Sequence, residues 1–108
     1  PGESEKDILE NIKNYVDFHY EKDLTQEFVA SLFRLNRSYL SSAFKARTGT
    51  SFVDYVNQVR ISHAKEMLKK TDKKTYQIAQ AVGYENAKYF FRVFKKMEGI
   101  TPEQYRNQ

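Results

Sequence analysis

Apolar positions along this chain recur at helical spacing, and they do so in two similar stretches. The clearer one is residues 86–106, NAKYFFRVFKKMEGITPEQYR. Phe90, Val93, Phe94 and Met97 fall at i, i+3, i+4 and i+7, one apolar face of a helix. Lys88, Phe91, Arg92 and Lys95 occupy the opposite face at the same spacing, and three of those four are cationic. Asn86 is a suitable N-cap, and Gly99 a suitable stop. Lys95 and Lys96 fall in the last turn, where cations suit the helix dipole. Thr101-Pro102-Glu103-Gln104 then reads as a new helix start, with a Thr cap, Pro at the first position and Gln three residues after the cap.

The pattern occurs twice. A shift of 50 residues brings Tyr39 onto Tyr89, Phe44 onto Phe94, Lys45 onto Lys95, Gly49 onto Gly99 and Tyr55 onto Tyr105. Upstream, Ala30 meets Ala79, so the second copy carries one more residue between its Ala and its Tyr. An internal repeat of this kind says that one helical unit is used twice.

The other elements follow from the same periodicity. Residues 4–21 form an amphipathic helix with Ile8, Ile12, Tyr15, Val16 and His19 near one face and an acidic outer face. Thr25 caps a short helix over 26–33 that carries Val29, Ala30, Leu32 and Phe33. A tight turn at 34–36 leads to Asn36, the cap of a helix over 37–47. There Leu40, Ala43, Phe44 and Arg47 share one face, and Ser38, Ser41, Ser42 and Lys45 share the other. Residues 51–70 form the longest helix, opened by Ser51 and Asp54, with Phe52, Tyr55, Val56, Val59, Ala64, Met67 and Leu68 toward a core. A basic turn over 69–74 precedes a second short helix, 75–82, with Ile78, Ala79 and Val82. Gly83 sits where a turn needs positive φ. No strand-like alternation stands out, so the expected fold is all-α with about seven helices. The expected division of the single domain 1–108 is a first helix-turn-helix subdomain at 4–49, a linker helix at 51–70 and a second subdomain at 73–107.

Composition narrows the function classes. Eight Tyr and eight Phe among 108 residues supply much of the core. There is no apolar run near the ~18 residues that would span a membrane, so a soluble, cytoplasmic chain without a membrane partner is expected. The chain begins at Pro1 rather than Met and reads as a piece of a longer protein. With no Cys, disulfides and thiolate metal sites are excluded. His19 and His63 are the only histidines, 44 residues apart, and the serines of the first unit have no evident base. Neither a metal, a cofactor nor an enzyme active site is expected. The net charge of +4 is unevenly spread: residues 1–23 hold seven acids and three bases, whereas 24–108 hold seven acids and 15 bases. A polyanion partner for the later part is one reading, and a solvated charged surface is the other.

A short helix, a tight turn and a second helix with an exposed polar face make a helix-turn-helix unit, here in duplicate. The strings Tyr39-Leu40-Ser41, Phe44-Lys45, Thr48-Gly49, Arg60-Ile61, Ala64-Lys65, Ile78-Ala79, Val82-Gly83-Tyr84, Tyr89-Phe90, Phe94-Lys95-Lys96, Thr101-Pro102 and Tyr105-Arg106 resemble the DNA-binding domain of the AraC/XylS family of bacterial transcription regulators. The resemblance covers residues 8–106. It implies two helix-turn-helix units on a linker helix, a monomeric domain reading two successive major-groove segments of double-stranded DNA, and a sensing or receiver domain elsewhere in a parent protein, the level at which any dimer would form. RNA polymerase is the further partner implied. Arg37 stands where the family often has Pro, Lys74 where it usually has a Ser cap, and Phe91 where a small or polar residue is commoner; Gln26 and Phe28 invert the usual order.

The candidate base-contacting residues are Arg37, Ser38, Ser41, Ser42 and Lys45 in the first unit and Ala87, Lys88, Phe91, Arg92 and Lys95 in the second. Arg92 has the reach for bidentate contact to guanine, and Phe91 either touches a thymine methyl or packs against its neighbours. Serines at this spacing either bond bases weakly or are solvated surface. Thr25, Lys73, Lys74 and Thr75, near the starts of the short helices, are the candidate phosphate contacts; the lysine run reads otherwise as a solvated loop. Tyr39 and Tyr89 read as core residues with a hydroxyl satisfied at the edge. A second function class stays open, a helical module whose basic faces bind an acidic protein surface. Salt dependence with sequence preference separates the two.

Overall fold

A computed structural model describes residues 4–108 of the chain. Among these residues there are seven helices and no strands: α1 (Glu5–His19), α2 (Gln26–Leu32), α3 (Arg37–Thr48), α4 (Phe52–Lys70), α5 (Thr75–Ala81), α6 (Ala87–Glu98) and α7 (Pro102–Arg106). None of them is long and apolar enough to cross a membrane.

Helix starts are set by short polar side chains that satisfy otherwise unpaired backbone donors. Ser4, Thr25, Asn36, Asn86 and Thr101 each accept a hydrogen bond from the backbone N–H three residues on. Ser51 does the same for α4 at 3.1 Å. Thr101 is reinforced by the reverse bond, its N–H donating to Gln104 Oε1 at 2.9 Å. At α5 the cap is Lys74, which has no acceptor; only the reverse bond is made, from its N–H to Gln77 Oε1 at 3.0 Å. The counterpart of Thr25 in the second unit is therefore Lys74, and Thr75 lies one residue inside the helix.

The chain divides into two compact units, Pro1–Val56 and Asn57–Gln108, with α4 contributing residues to both. In the first, Ile12 and Val16 of α1 are buried with Val29 of α2 and Leu40 and Phe44 of α3. The Phe44 ring meets Phe52 edge-on, 5.7 Å between centroids. In the second, Ile61, Ala64 and Leu68 of α4 are buried with Ile78 of α5 and Phe90 and Phe94 of α6. Phe94 meets Tyr105 of α7 at 5.8 Å. Arg106 then ties α7 to the end of α4: its Nε donates to the Leu68 carbonyl at 3.0 Å, satisfying an acceptor that the helix end leaves open.

Several positions differ from the sequence expectation. Leu9 and Ile61 are buried, whereas Ile8, Val59, Met67 and Met97 are only half-buried. The reason on α4 is that it carries two buried stripes rather than one, Phe52 and Val56 followed by Asn57, Ile61, Ala64 and Leu68, so a single period misplaces the middle. Tyr39 and Tyr89 are not core: they are 43% and 39% exposed. Each ring sits at the rim with its hydroxyl bonded to a polar group, Glu5 for Tyr39 and the buried Asn57 for Tyr89.

The two helix-turn-helix turns are built alike. Leu35 N–H reaches back to the Ala30 carbonyl at 2.8 Å, and Tyr84 N–H to the Ala79 carbonyl at 2.9 Å. Inside these, Arg34 N–H donates to Ser31 and Gly83 N–H to Gln80, at 3.2 and 3.1 Å. Such nested bonds define a Schellman end, which needs a left-handed residue. The second turn has Gly83 at φ 108°, and the first has Arg34 at φ 57°, the one described non-glycine residue with positive φ. A side chain there costs roughly 1–2 kcal/mol, against about 0.5–1 kcal/mol of chain entropy for glycine. Arg34→Gly should therefore raise stability by up to about 1 kcal/mol, and Gly83→Ala should lower it by about 1 kcal/mol. Denaturant unfolding of the three proteins checks this; equal midpoints would refute it.

Candidate nucleic-acid interface

Each second helix hides one stripe and shows the other. On α3, Leu40, Ala43 and Phe44 are buried, and Ser38, Ser41, Ser42 and Lys45 are exposed. On α6, Phe90, Val93 and Phe94 are buried, and Lys88, Arg92 and Lys95 are exposed. The register of 50 pairs these faces residue by residue: Arg37 with Ala87, Ser38 with Lys88, Ser41 with Phe91, Ser42 with Arg92, Lys45 with Lys95. Ala87 and Phe91 are the exceptions on α6, both half-buried; the Phe91 ring lies 5.7 Å from Phe90, at the border of the exposed face.

The cations of the two faces are held differently. In the first unit Arg37 Nη1 lies 3.3 Å from Glu27 Oε2 of α2, and Lys45 Nζ donates to the Gly49 carbonyl at 3.3 Å. Arg37, Ser38, Ser41 and Ser42 line a shallow depression together with Gln26. In the second unit no ion pair engages Lys88, Arg92 or Lys95 among the described residues. Away from α3 and α6, Thr25 caps α2 through its hydroxyl, which accepts from Phe28 N–H at 3.1 Å. Lys73 and Lys74 are exposed before α5, and Thr75 is half-buried at its first turn.

Buried and bridging polar groups fix α3 and α6. Asn57 of α4 is the one described buried polar residue, 7% exposed. Its Oδ1 accepts from the Tyr84 hydroxyl at 2.6 Å, and its Nδ2 donates to the Tyr89 hydroxyl at 3.4 Å. Tyr84 belongs to the turn and Tyr89 to the first turn of α6, so one amide clamps turn and helix to α4. Burial pushes the Tyr84 phenol well above its ordinary value, opposed in part by the Arg60 guanidinium 5.2 Å over its ring. In the first unit Tyr39 plays the part of Tyr89. Its hydroxyl donates to Glu5 Oε2 of α1 at 2.5 Å, while Arg47 Nε donates to Glu5 Oε1 at 2.9 Å. The Tyr39 bond and then Arg47 hold the Glu5 carboxyl below the usual carboxylate range. Sequence reasoning missed Asn57, Glu5 and Glu27 as positioning groups. A lone Asn or Glu on a helix carries no periodic signal; the tyrosines repeated in register were the available hint.

The chain has known counterparts. It is 42% identical over 103 residues to YtdP, an HTH-type transcriptional regulator of Bacillus subtilis, which covers 95% of this chain. A transcriptional regulator from Chromobacterium violaceum, described as containing an AraC-type DNA-binding domain, superposes with a TM-score of 0.84 at 25% identity, over 95% of this chain and 92% of that one. The family model "Helix-turn-helix domain" matches residues 29–108.

The chain belongs to the AraC-type helix-turn-helix family.

Within that family, the C-terminal domain of AraT, a response regulator from Geobacillus stearothermophilus, is similar at 36% identity and a TM-score of 0.89, over 93% of this chain and 84% of that one. This AraC-type chain spans only 13% of the length of YtdP. The family match includes α2 from Val29 onward and both recognition helices, so the repeat seen in the sequence is the family's own architecture.

The Asn57 clamp has a measurable weight. Tyr84→Phe removes the donor and leaves Asn57 Oδ1 buried with a bond missing, at a cost of about 1–3 kcal/mol. Tyr89→Phe removes a longer bond at a more exposed site and should cost under about 1 kcal/mol. Thermal or denaturant unfolding gives both values, and an equal or reversed order would contradict the clamp.

Proposed function

We propose that this domain binds double-stranded DNA sequence-specifically, with α3 and α6 each entering a major-groove segment, and that it is the DNA-binding part of a larger, signal-responsive transcription regulator. The observation that carries the reading is the pair of exposed polar faces in a register of 50, each backed by a buried apolar stripe. A helix held from behind with a polar face outward is what major-groove readout needs. Its likeness to a transcriptional regulator and to a protein with an AraC-type DNA-binding domain supports it.

In this reading Arg37, Ser38, Ser41, Ser42 and Lys45 meet the first groove segment, and Ala87, Lys88, Phe91, Arg92 and Lys95 the second. Thr25, Lys73, Lys74 and Thr75 line the phosphate-facing edges. The domain is monomeric and non-enzymatic, works in the cytoplasm, and has RNA polymerase as a further partner; the parent protein is the level at which dimers form. The direct test is a salt titration of binding to duplex DNA. Binding should weaken steeply with salt while keeping a preference among sequences. Equal affinity for every duplex, or tighter binding to an acidic protein, would overturn the proposal.

The two classes of contact separate by mutation. Lys73→Ala should lower affinity for all duplexes alike and reduce the log–log salt slope by about 1, because a phosphate carries no sequence information. Loss on one operator alone would refute that role.

The second unit should be the sharper reader. Arg92 is long, exposed and free of ion pairs among the described residues, with Val93 and Phe94 anchored behind it. Arg92→Ala should cost ~1–3 kcal/mol on the best site and relax preference at one base pair, expected to be G·C. Ser41→Ala and Ser42→Ala should cost less, since a hydroxyl reaches less far. Binding measured on a panel of single-base variants of that site, with melting in parallel, decides it. If a serine mutant loses more discrimination than Arg92→Ala, the ranking of the units is wrong.

A further inference from the structure

The two units repeat closely, so a feature present in one alone is informative. The Glu27–Arg37 ion pair is such a feature. In the second unit the equivalent positions hold Tyr76, in the register of 49, and Ala87, in the register of 50. The second unit forms the same helices and the same turn without any such pair. The pair is therefore not required to build a helix-turn-helix unit here. Nor is it placed to stabilise strongly: its side chains are 61% and 62% exposed, and exposed ion pairs contribute little.

Its position says more. Arg37 is the first residue of α3, at the positive end of the helix dipole, and α3 has no acidic residue in its first turn. Glu27 of α2 supplies the missing negative charge. The guanidinium it holds lines the depression with Ser38, Ser41 and Ser42, where the candidate base contacts of the first unit lie. A carboxylate takes one edge of the planar fork and leaves other donors open. It also repels a phosphate oxygen that would otherwise compete for the same cation.

We propose that Glu27 is a specificity-determining positioning residue of the first unit: it keeps Arg37 off the DNA backbone and aims it at a base edge. This rests on the DNA-binding reading. The serines around Arg37 are tolerant of several bases, so the sequence preference of this unit runs through Arg37, and Arg37 serves it only while Glu27 holds it. Without Glu27, Arg37 becomes one more phosphate contact.

The test uses wild type, Glu27→Gln, Arg37→Ala and the double variant, each put through site selection from a random duplex pool and salt titration on a fixed random duplex. Glu27→Gln keeps the shape and removes the charge. It should bind random duplex about fivefold tighter at 0.15 M salt, steepen the salt slope by about 1, and lose preference at one position of the motif. In the Arg37→Ala background the same substitution should change the motif no further. Arg37→Lys, which keeps the charge but not the fork, should lose the same position, and it decides the matter if Glu27→Gln melts below the assay temperature. A motif unchanged in Glu27→Gln, or a change that persists equally without Arg37, overturns the proposal. If wild type itself shows no sequence preference, the DNA-binding reading fails first and this one falls with it.

Discussion

Each helix-turn-helix unit depends on one residue entering the left-handed region. Position 34 does so in the first unit and position 83 in the second. That residue lets the backbone turn back so that Leu35 and Tyr84 donate to Ala30 and Ala79, closing the end of each short helix. The chain is then free to restart at an Asn cap, Asn36 or Asn86, whose side chain accepts from the N–H three residues on. Everything that follows on the recognition helix, including which side chains are buried and which are shown, is set by where that cap falls. Glycine meets the requirement without steric penalty in the second unit, at a smaller cost in chain entropy. The first meets it with Arg34, at a cost in backbone energy that the rest of its packing has to offset.

From the cap onward the same periodicity runs in both units. A large apolar side chain at the fourth position behind the cap is buried, Leu40 or Phe90, and the ring one turn later, Phe44 or Phe94, meets an aromatic of the next helix. The tyrosine beside the cap does not join that core. It reaches out to a polar anchor, Glu5 for Tyr39 and Asn57 for Tyr89. One chemistry is charged and exposed, the other neutral and buried, yet both fix the start of the second helix of the unit to a helix further back in the chain, α1 for α3 and α4 for α6. The repeat thus preserves a mechanical role while changing the partner that fulfils it.

Much of this was legible in the sequence. The caps at 25, 36, 86 and 101, the stops at 49 and 99 and the two exposed faces follow from local chemistry, which acts within a few residues. Even the extra residue of the second turn could be read, since Ala30 and Ala79 are 49 apart whereas Tyr39 and Tyr89 are 50 apart; the inserted residue falls between Tyr84 and Asn86. What could not be read depends on contacts between distant segments. Nothing local marks Asn57 as buried, or Glu27 as the partner of Arg37. The buried stripe of α4 was blurred because Phe52 and Val56 belong to one unit, and Asn57, Ile61, Ala64 and Leu68 to the other. Tyr39 and Tyr89 were placed inside because a repeated aromatic looks like core, and only the hydroxyl anchors explain why they stay at the rim.

In the proposed function, a fold used twice in one chain presents two faces to duplex DNA. The most direct measurement of this is selection of bound sequences from a random duplex pool by the wild-type chain, followed by quantitative binding of the enriched motif against scrambled duplex at several salt concentrations. The expected result is a motif with two separated blocks, one for α3 and one for α6, and a preference for it over scrambled duplex that survives as salt weakens both. Enrichment of no sequence, with affinity governed by salt alone, would contradict it.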